Sequence, residues 1–92
     1  MIPETYMLIA TKSNDGGVTD TYYIANTNPI IWTENKNNAK IFINRYSAEC
    51  NILRDYDNYT YIKKQINNGL VDNVYLVIMA GICEIRREKI LW

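Results

Sequence analysis

The order of apolar and polar positions divides the chain into a β-rich start, a helical middle and a β-rich end. Residues 5–12, TYMLIATK, form an apolar, β-branched run. The Asn14-Asp15-Gly16-Gly17 cluster that follows supplies the positive φ angles a hairpin loop needs. Residues 19–26, TDTYYIAN, read as the returning strand, which Asn28-Pro29 interrupts. A short apolar stub, Ile30-Ile31-Trp32, then leads to Thr33. Thr33 is predicted to cap a helical turn through residues 34–42, with Ala39, Phe42 and Ile43 turned inward at i, i+3, i+4.

Ser47 is the predicted N-cap of the main helical stretch, with Glu49 in the first turn, where the helix dipole favours a carboxylate. Ala48, Ile52, Leu53 and Tyr56 form its inward face. Asp57-Asn58 is the predicted break, because both side chains compete for backbone hydrogen bonds. Tyr59, Ile62 and Ile66 continue the stripe until Asn67-Asn68-Gly69 stops it. The pattern leaves open whether 48–67 is one kinked helix or two. The last run, Val74 to Arg87, reads as one long central strand with Gly81 as a bulge or bend. The predicted fold class is α+β: a small antiparallel β-sheet, built from a hairpin plus a long C-terminal strand, packed against one or two helices. Residues 1–92 are read as a single α+β domain.

The strands do not alternate apolar with polar. Tyr6, Leu8 and Ala10 oppose Met7, Ile9 and Thr11; Val74, Leu76 and Ile78 oppose Tyr75, Val77 and Met79; Tyr22 and Ile24 oppose Tyr23 and Ala25. Since successive side chains point to opposite faces, both faces of this sheet require burial. One helical layer covers one face. The other is left for loops and the Lys89–Trp92 tail, for a second copy in a homodimer, or for a partner.

Composition narrows the chemistry. Ten Lys plus Arg balance ten Asp plus Glu, with no histidine. A neutral chain lacks the basic footprint of direct nucleic-acid binding, and it is not an acidic mimic of DNA either. Ile, Asn, Tyr and Lys are abundant, the bias of an AT-rich genome. The start MIPETYMLIA has no basic n-region, and the longest apolar stretch, Val74 to Cys83, is too short to span a bilayer. The expected location is the cytoplasm, without membrane contact.

Cys50 and Cys83 lie far apart, without CxxC spacing or a histidine, so neither a metal nor any other cofactor is expected; both are read as small hydrophobes, on a helix and in a strand. The chain contains no GxSxG, GxxxxGK or HExxH, and with no histidine it has no common general base, so it is read as not an enzyme. Asp55 and Asp57 as a cation pair, and Arg86-Arg87 with Lys89 as a phosphate site, are the weaker readings of those charges.

The segment Asp55-Tyr56-Asp57-Asn58-Tyr59-Thr60-Tyr61 sets three tyrosines among polar residues at the predicted helix break. Tyrosine gives large, fairly rigid contact area with a polar tip, so this composition suits recognition of a protein surface. The candidate partner-binding residues are Asp55, Asp57, Asn58, Tyr59 and Tyr61, with Tyr23 and Tyr75 from the sheet. Against that, Tyr56 and Tyr59 also fit the inward helix faces.

The succession YYIANTNPIIWTENKNNAKIFINRYSAEC, Tyr22 to Cys50, resembles a pattern of small phage and prophage proteins of low-GC bacteria. In these, a strand ends near a Trp-Thr, a turn leads to Ala-Lys-x-Phe, and a helix opens after a Ser with an Ala-Glu. The resemblance implies an inhibitor of host defence, in the manner of anti-CRISPR proteins, that occupies a surface of a bacterial effector and uses no catalytic residues. Two other readings stand beside it. One is a homo-oligomeric sponge that stacks a nucleotide base on Trp32 or Tyr23 and holds phosphate with Arg86 or Arg87. The other is a structural or assembly protein of a phage.

Overall fold

The computed structural model describes residues 2–91, and Trp92 of the predicted tail lies outside them. In chain order the elements are β1 (Glu4–Ser13), β2 (Thr19–Thr27), β3 (Ile30–Thr33), a 3-10 turn (Lys36–Asn38), α1 (Arg45–Leu53), α2 (Tyr56–Asn67), β4 (Asn73–Ala80) and β5 (Cys83–Leu91). The strands make one antiparallel sheet in the order β3-β2-β1-β4-β5. The α+β class holds.

The C-terminal apolar run differs from its prediction. It is two strands, because Gly81 with φ 61° occupies the first position of a two-residue loop, where a type II′ hairpin places glycine. β4 is interior and β1 holds the centre, while β5 is an edge. Its charges, Glu84, Arg86, Arg87, Glu88 and Lys89, together with two register shifts, suit an edge that must not pair with other chains. Cys83 is exposed on this strand and is not a buried hydrophobe; Cys50 is half-buried on α1.

Both faces are buried within one chain, as their apolar patterns require. On the first, Leu8, Ala10, Ile24, Val74 and Leu76 cluster with Ala48 and Ile52 of α1 and Ile62 of α2. On the second, Met7, Ile9, Val77 and Met79 form a separate cluster with Tyr23, Ala39 and Tyr75 around it. Register explains the cover: Ile9 is paired with Tyr23 on one side and Tyr75 on the other, so two aromatic rings flank a side chain with 0% exposure. The segment after β3 supplies the rest. It enters beside the sheet where the β1–β2 ladder ends, with Lys40 N–H donating to Ile24 O (2.8 Å) and Tyr6 and Phe42 exchanging backbone bonds (2.9 and 2.8 Å). Of the predicted tail, Ile90 and Leu91 pack into the first core and not on the second face. Burial within the single chain removes the ground on which that face argued for a homodimer.

Helix boundaries shift because in each case an Asn or Asp other than the predicted residue supplies the capping oxygen. Asn35, not Thr33, caps the 3-10 turn by accepting from Asn37 N. Asn44, not Ser47, caps α1, and the N–H it accepts is that of Ser47 itself (3.2 Å). Asp55 caps α2 by accepting from Asn58 N (3.0 Å), which moves the break from 57–58 to 54–55 and gives two helices. Ala48, Ile52 and Ile62 point inward as their spacing predicts, and the differences lie at the ends of the stripes. Leu53, Tyr56 and Tyr59 are exposed rather than inward, and Ile43 is 87% exposed beside the buried Phe42.

A candidate recognition groove beside the second helix

Two buried residues fix the start of α2. Ile62 sits in the first core, and Asn58, four residues earlier, is 4% exposed and donates its side-chain amide to Asn51 O of α1 (2.9 Å). That tie fastens α2 against α1. With 58 and 62 inward, positions 56, 57 and 61 must point away from the core. Tyr56 is the most exposed of the tyrosines in this segment, and Asp57 and Tyr61 flank a groove opposite the β2–β3 turn.

The turn forms the other wall. Asn28-Pro29 carries a cis peptide bond, and Asn26 Nδ2 donates to Pro29 O (2.9 Å), closing the turn from within. The groove encloses about 440 Å³ and is lined by Asn28, Pro29, Ile30, Asp57, Asn58 and Tyr61. It combines one exposed carboxylate, one aromatic ring, amide groups and an apolar wall. No Lys or Arg lines it, and Asp57 makes no ion pair among the described residues.

The predicted partner-binding residues therefore divide into four. Asp57 and Tyr61 share the groove. Asp55 and Asn58 have structural duties at the α2 cap and the α1 tie, and the Asn58 side chain is engaged inside the fold. Tyr59 is 39% exposed on the same helix but does not line the groove. Tyr23 and Tyr75 lie on the opposite face of the sheet, covering Ile9, and are not brought to the segment. Asn28, Pro29 and Ile30 were missed by sequence reasoning. Asn28-Pro29 marked a turn, but nothing in the sequence placed that turn against α2.

Other side chains separate in the same way. Trp32 stands on the β3 edge with Tyr22, Gln65, Leu70 and Val71 around an apolar cleft of about 220 Å³. Arg86 and Arg87 are on the β5 edge, four strand spacings or roughly 19 Å across the sheet. A base stacked on Trp32 would be out of reach of both guanidinium groups of the same chain. Arg45 on α1 binds Glu49 (3.0 Å) and Glu88 of β5, and these two carboxylates hold its guanidinium above its ordinary pKa. No group of three or more Cys, Asp or Glu among the described residues is placed to hold a metal ion, and no helix there is long and apolar enough to cross a membrane. Comparison with protein-family models, curated proteins and solved structures finds no match for this chain.

Proposed function

We propose that this chain is a cytosolic, non-catalytic binding protein that inhibits a bacterial defence effector, such as a CRISPR nuclease, by occupying part of its surface. The observation that carries the reading is the outward display of Tyr56, Asp57 and Tyr61 on a helix whose inner side is fastened by Asn58 and Ile62. Aromatic side chains on a rigid element bind with little ordering cost, which suits them to be contact anchors. The resemblance of Tyr22–Cys50 to small phage proteins supports a defence component as the target. With net charge zero, the mode of action is obstruction or restraint of a conformational change rather than imitation of nucleic acid.

The test is capture from lysate of a low-GC Gram-positive host, with wild-type protein and the double variant Asp57→Lys/Tyr61→Ala as parallel baits. Mass spectrometry of wild-type eluates should show one stoichiometric defence protein, whose activity the purified chain then blocks. The folded double variant should recover about tenfold less of it, as expected when hot-spot contacts are removed. Eluates containing only the bait, or the bait with a small nucleotide, would overturn the inhibitor reading.

A further inference from the structure

Resting on the reading of the chain as a protein-binding module, we propose that the groove between α2 and the β2–β3 turn receives an arginine side chain of the partner. Asp57 and Tyr61 are one helical turn apart on the same face, a spacing that brings their side chains together at about 5–6 Å between Cβ atoms. Pro29 and Ile30 give the opposite wall an apolar surface, and Asn28 adds an amide. An arginine matches each part. Its guanidinium pairs with the carboxylate and stacks on the phenol ring, while its three methylenes lie along Pro29 and Ile30.

Charge selects against the alternatives. The α2 N terminus carries roughly half a positive charge, which alone would repel a cation, but the full negative charge of Asp57 in that first turn outweighs it. The mouth is left negative, so an anionic group is excluded. A purely apolar side chain would strip water from Asp57 without replacing its hydrogen bonds.

Elsewhere in the protein a tyrosine already takes a guanidinium. The Arg54 guanidinium lies 5.6 Å from the Tyr46 ring centroid, in a hollow that Glu49 also lines while it pairs with Arg45. The α2 groove repeats the acid and the tyrosine and has no guanidinium of its own. Three other hollows differ: the Tyr22–Trp32 cleft has no charged lining residue, the hollow between Met7 and Ile82 already holds Lys36, and the one beside Asp55 already holds Arg54 and has no aromatic ring.

The probe is the blocked peptide acetyl-Gly-Arg-Gly-amide, titrated into 15N-labelled protein beside its citrulline analogue, which keeps the shape and loses the charge. Amide resonances of Asn28, Ile30, Asp57, Asn58 and Tyr61 should move with the arginine peptide, and citrulline should bind about tenfold more weakly. In Asp57→Asn, which should keep the wild-type spectrum elsewhere, most of that preference should disappear, leaving only the few-fold that stacking on Tyr61 contributes. Equal affinity for both peptides in the wild type, shifts centred away from the groove, or no shifts at the highest soluble concentration would each overturn the proposal. Its fate is separable from that of the inhibitor reading. Capture of an effector unaffected by Asp57→Asn would remove the groove and keep the function, whereas arginine selectivity without any captured effector would do the reverse.

Discussion

On one face of the sheet, Leu8, Ile24 and Leu76 are buried beneath Ile52 and Ile62 of a helical layer; on the other, Met7, Ile9, Val77 and Met79 are buried beneath two tyrosines and the segment around Ala39. The second cover has no regular element beyond a 3-10 turn, yet the four residues beneath it are 0–4% exposed. It works because the cluster is small and cross-strand register places a large side chain beside each small gap. A sheet apolar on both faces is therefore not in itself a sign of a missing partner. The two covers should differ in how they respond to a void. A helix held by many contacts cannot follow a lost side chain inward, whereas a strap and two rings can settle.

Leu8 and Met7 are adjacent on β1 and point to opposite faces, so they make the most direct test. Leu8→Ala should cost about 4 kcal/mol, near the upper part of the range for buried leucine, because α1 and α2 prevent collapse into the cavity. Met7→Ala should cost about 2 kcal/mol, the lower end for methionine, since the strap closes part of the gap. Urea denaturation of both variants measures the difference. Equal losses would mean that the second face is packed as rigidly as the first.

The amount legible in the sequence follows the same division. Facing of strand residues was readable, since alternation along β1, β2 and β4 assigns Leu8 and Met7 to opposite sides without any tertiary knowledge. The α+β class followed from the element types. Caps were harder: Asn35, Asn44 and Asp55 lie two or three residues from the N–H groups they accept, the same reach a Thr or Ser cap has, and pattern alone does not rank them. Leu53, Tyr56 and Tyr59 flank the break between α1 and α2, and carrying one apolar stripe across that break placed them inside. At the binding segment, Asp57 and Tyr61 were readable by composition. Asn28, Pro29 and Ile30 were not, because only the tertiary approach of the β2–β3 turn to α2 joins them.

Gly81 bears on both faces, since the hairpin it closes carries Arg87 and Lys89 to one side and Glu88 to the other. A Cβ at this position meets nothing nearer than Ile2 Cγ2 at 3.8 Å, so space is not the constraint. Its φ of 61° is. Gly81→Ala should cost about 1 kcal/mol through left-handed backbone strain alone. The loss should appear as faster amide exchange along β5 before any change in β1. Exchange rising equally in both strands would show that the hairpin and the central strand unfold as one unit.

The smallest effect concerns the ionic tie that the first face has between its layers. Arg45 of α1 binds Glu88 of β5, and this hydrogen bond, reinforced by Arg86, holds the Glu88 carboxyl below its ordinary value of 4.5. The Ser13 backbone N–H, with Lys12, likewise holds Asp72 below 3.8 at the end of the β1–β2 hairpin. For a carboxylate whose pKa is lower in the folded state, the contribution is complete above the unfolded value and disappears as pH falls through the folded one. Stability should therefore be flat near neutrality and decline from just above pH 4.5 downward. Glu88→Gln should remove the upper part of that decline and Asp72→Asn the lower part, seen as thermal midpoints that lie below wild type at pH 7 and converge with it in acid. Because both pairs face solvent, these shifts should be smaller than that of Gly81→Ala and should shrink further in high salt. If Glu88→Gln follows the wild-type curve at every pH, the helical layer is held to the sheet by apolar contact alone. The two faces would then differ in the rigidity of their covers and not in how those covers are tied.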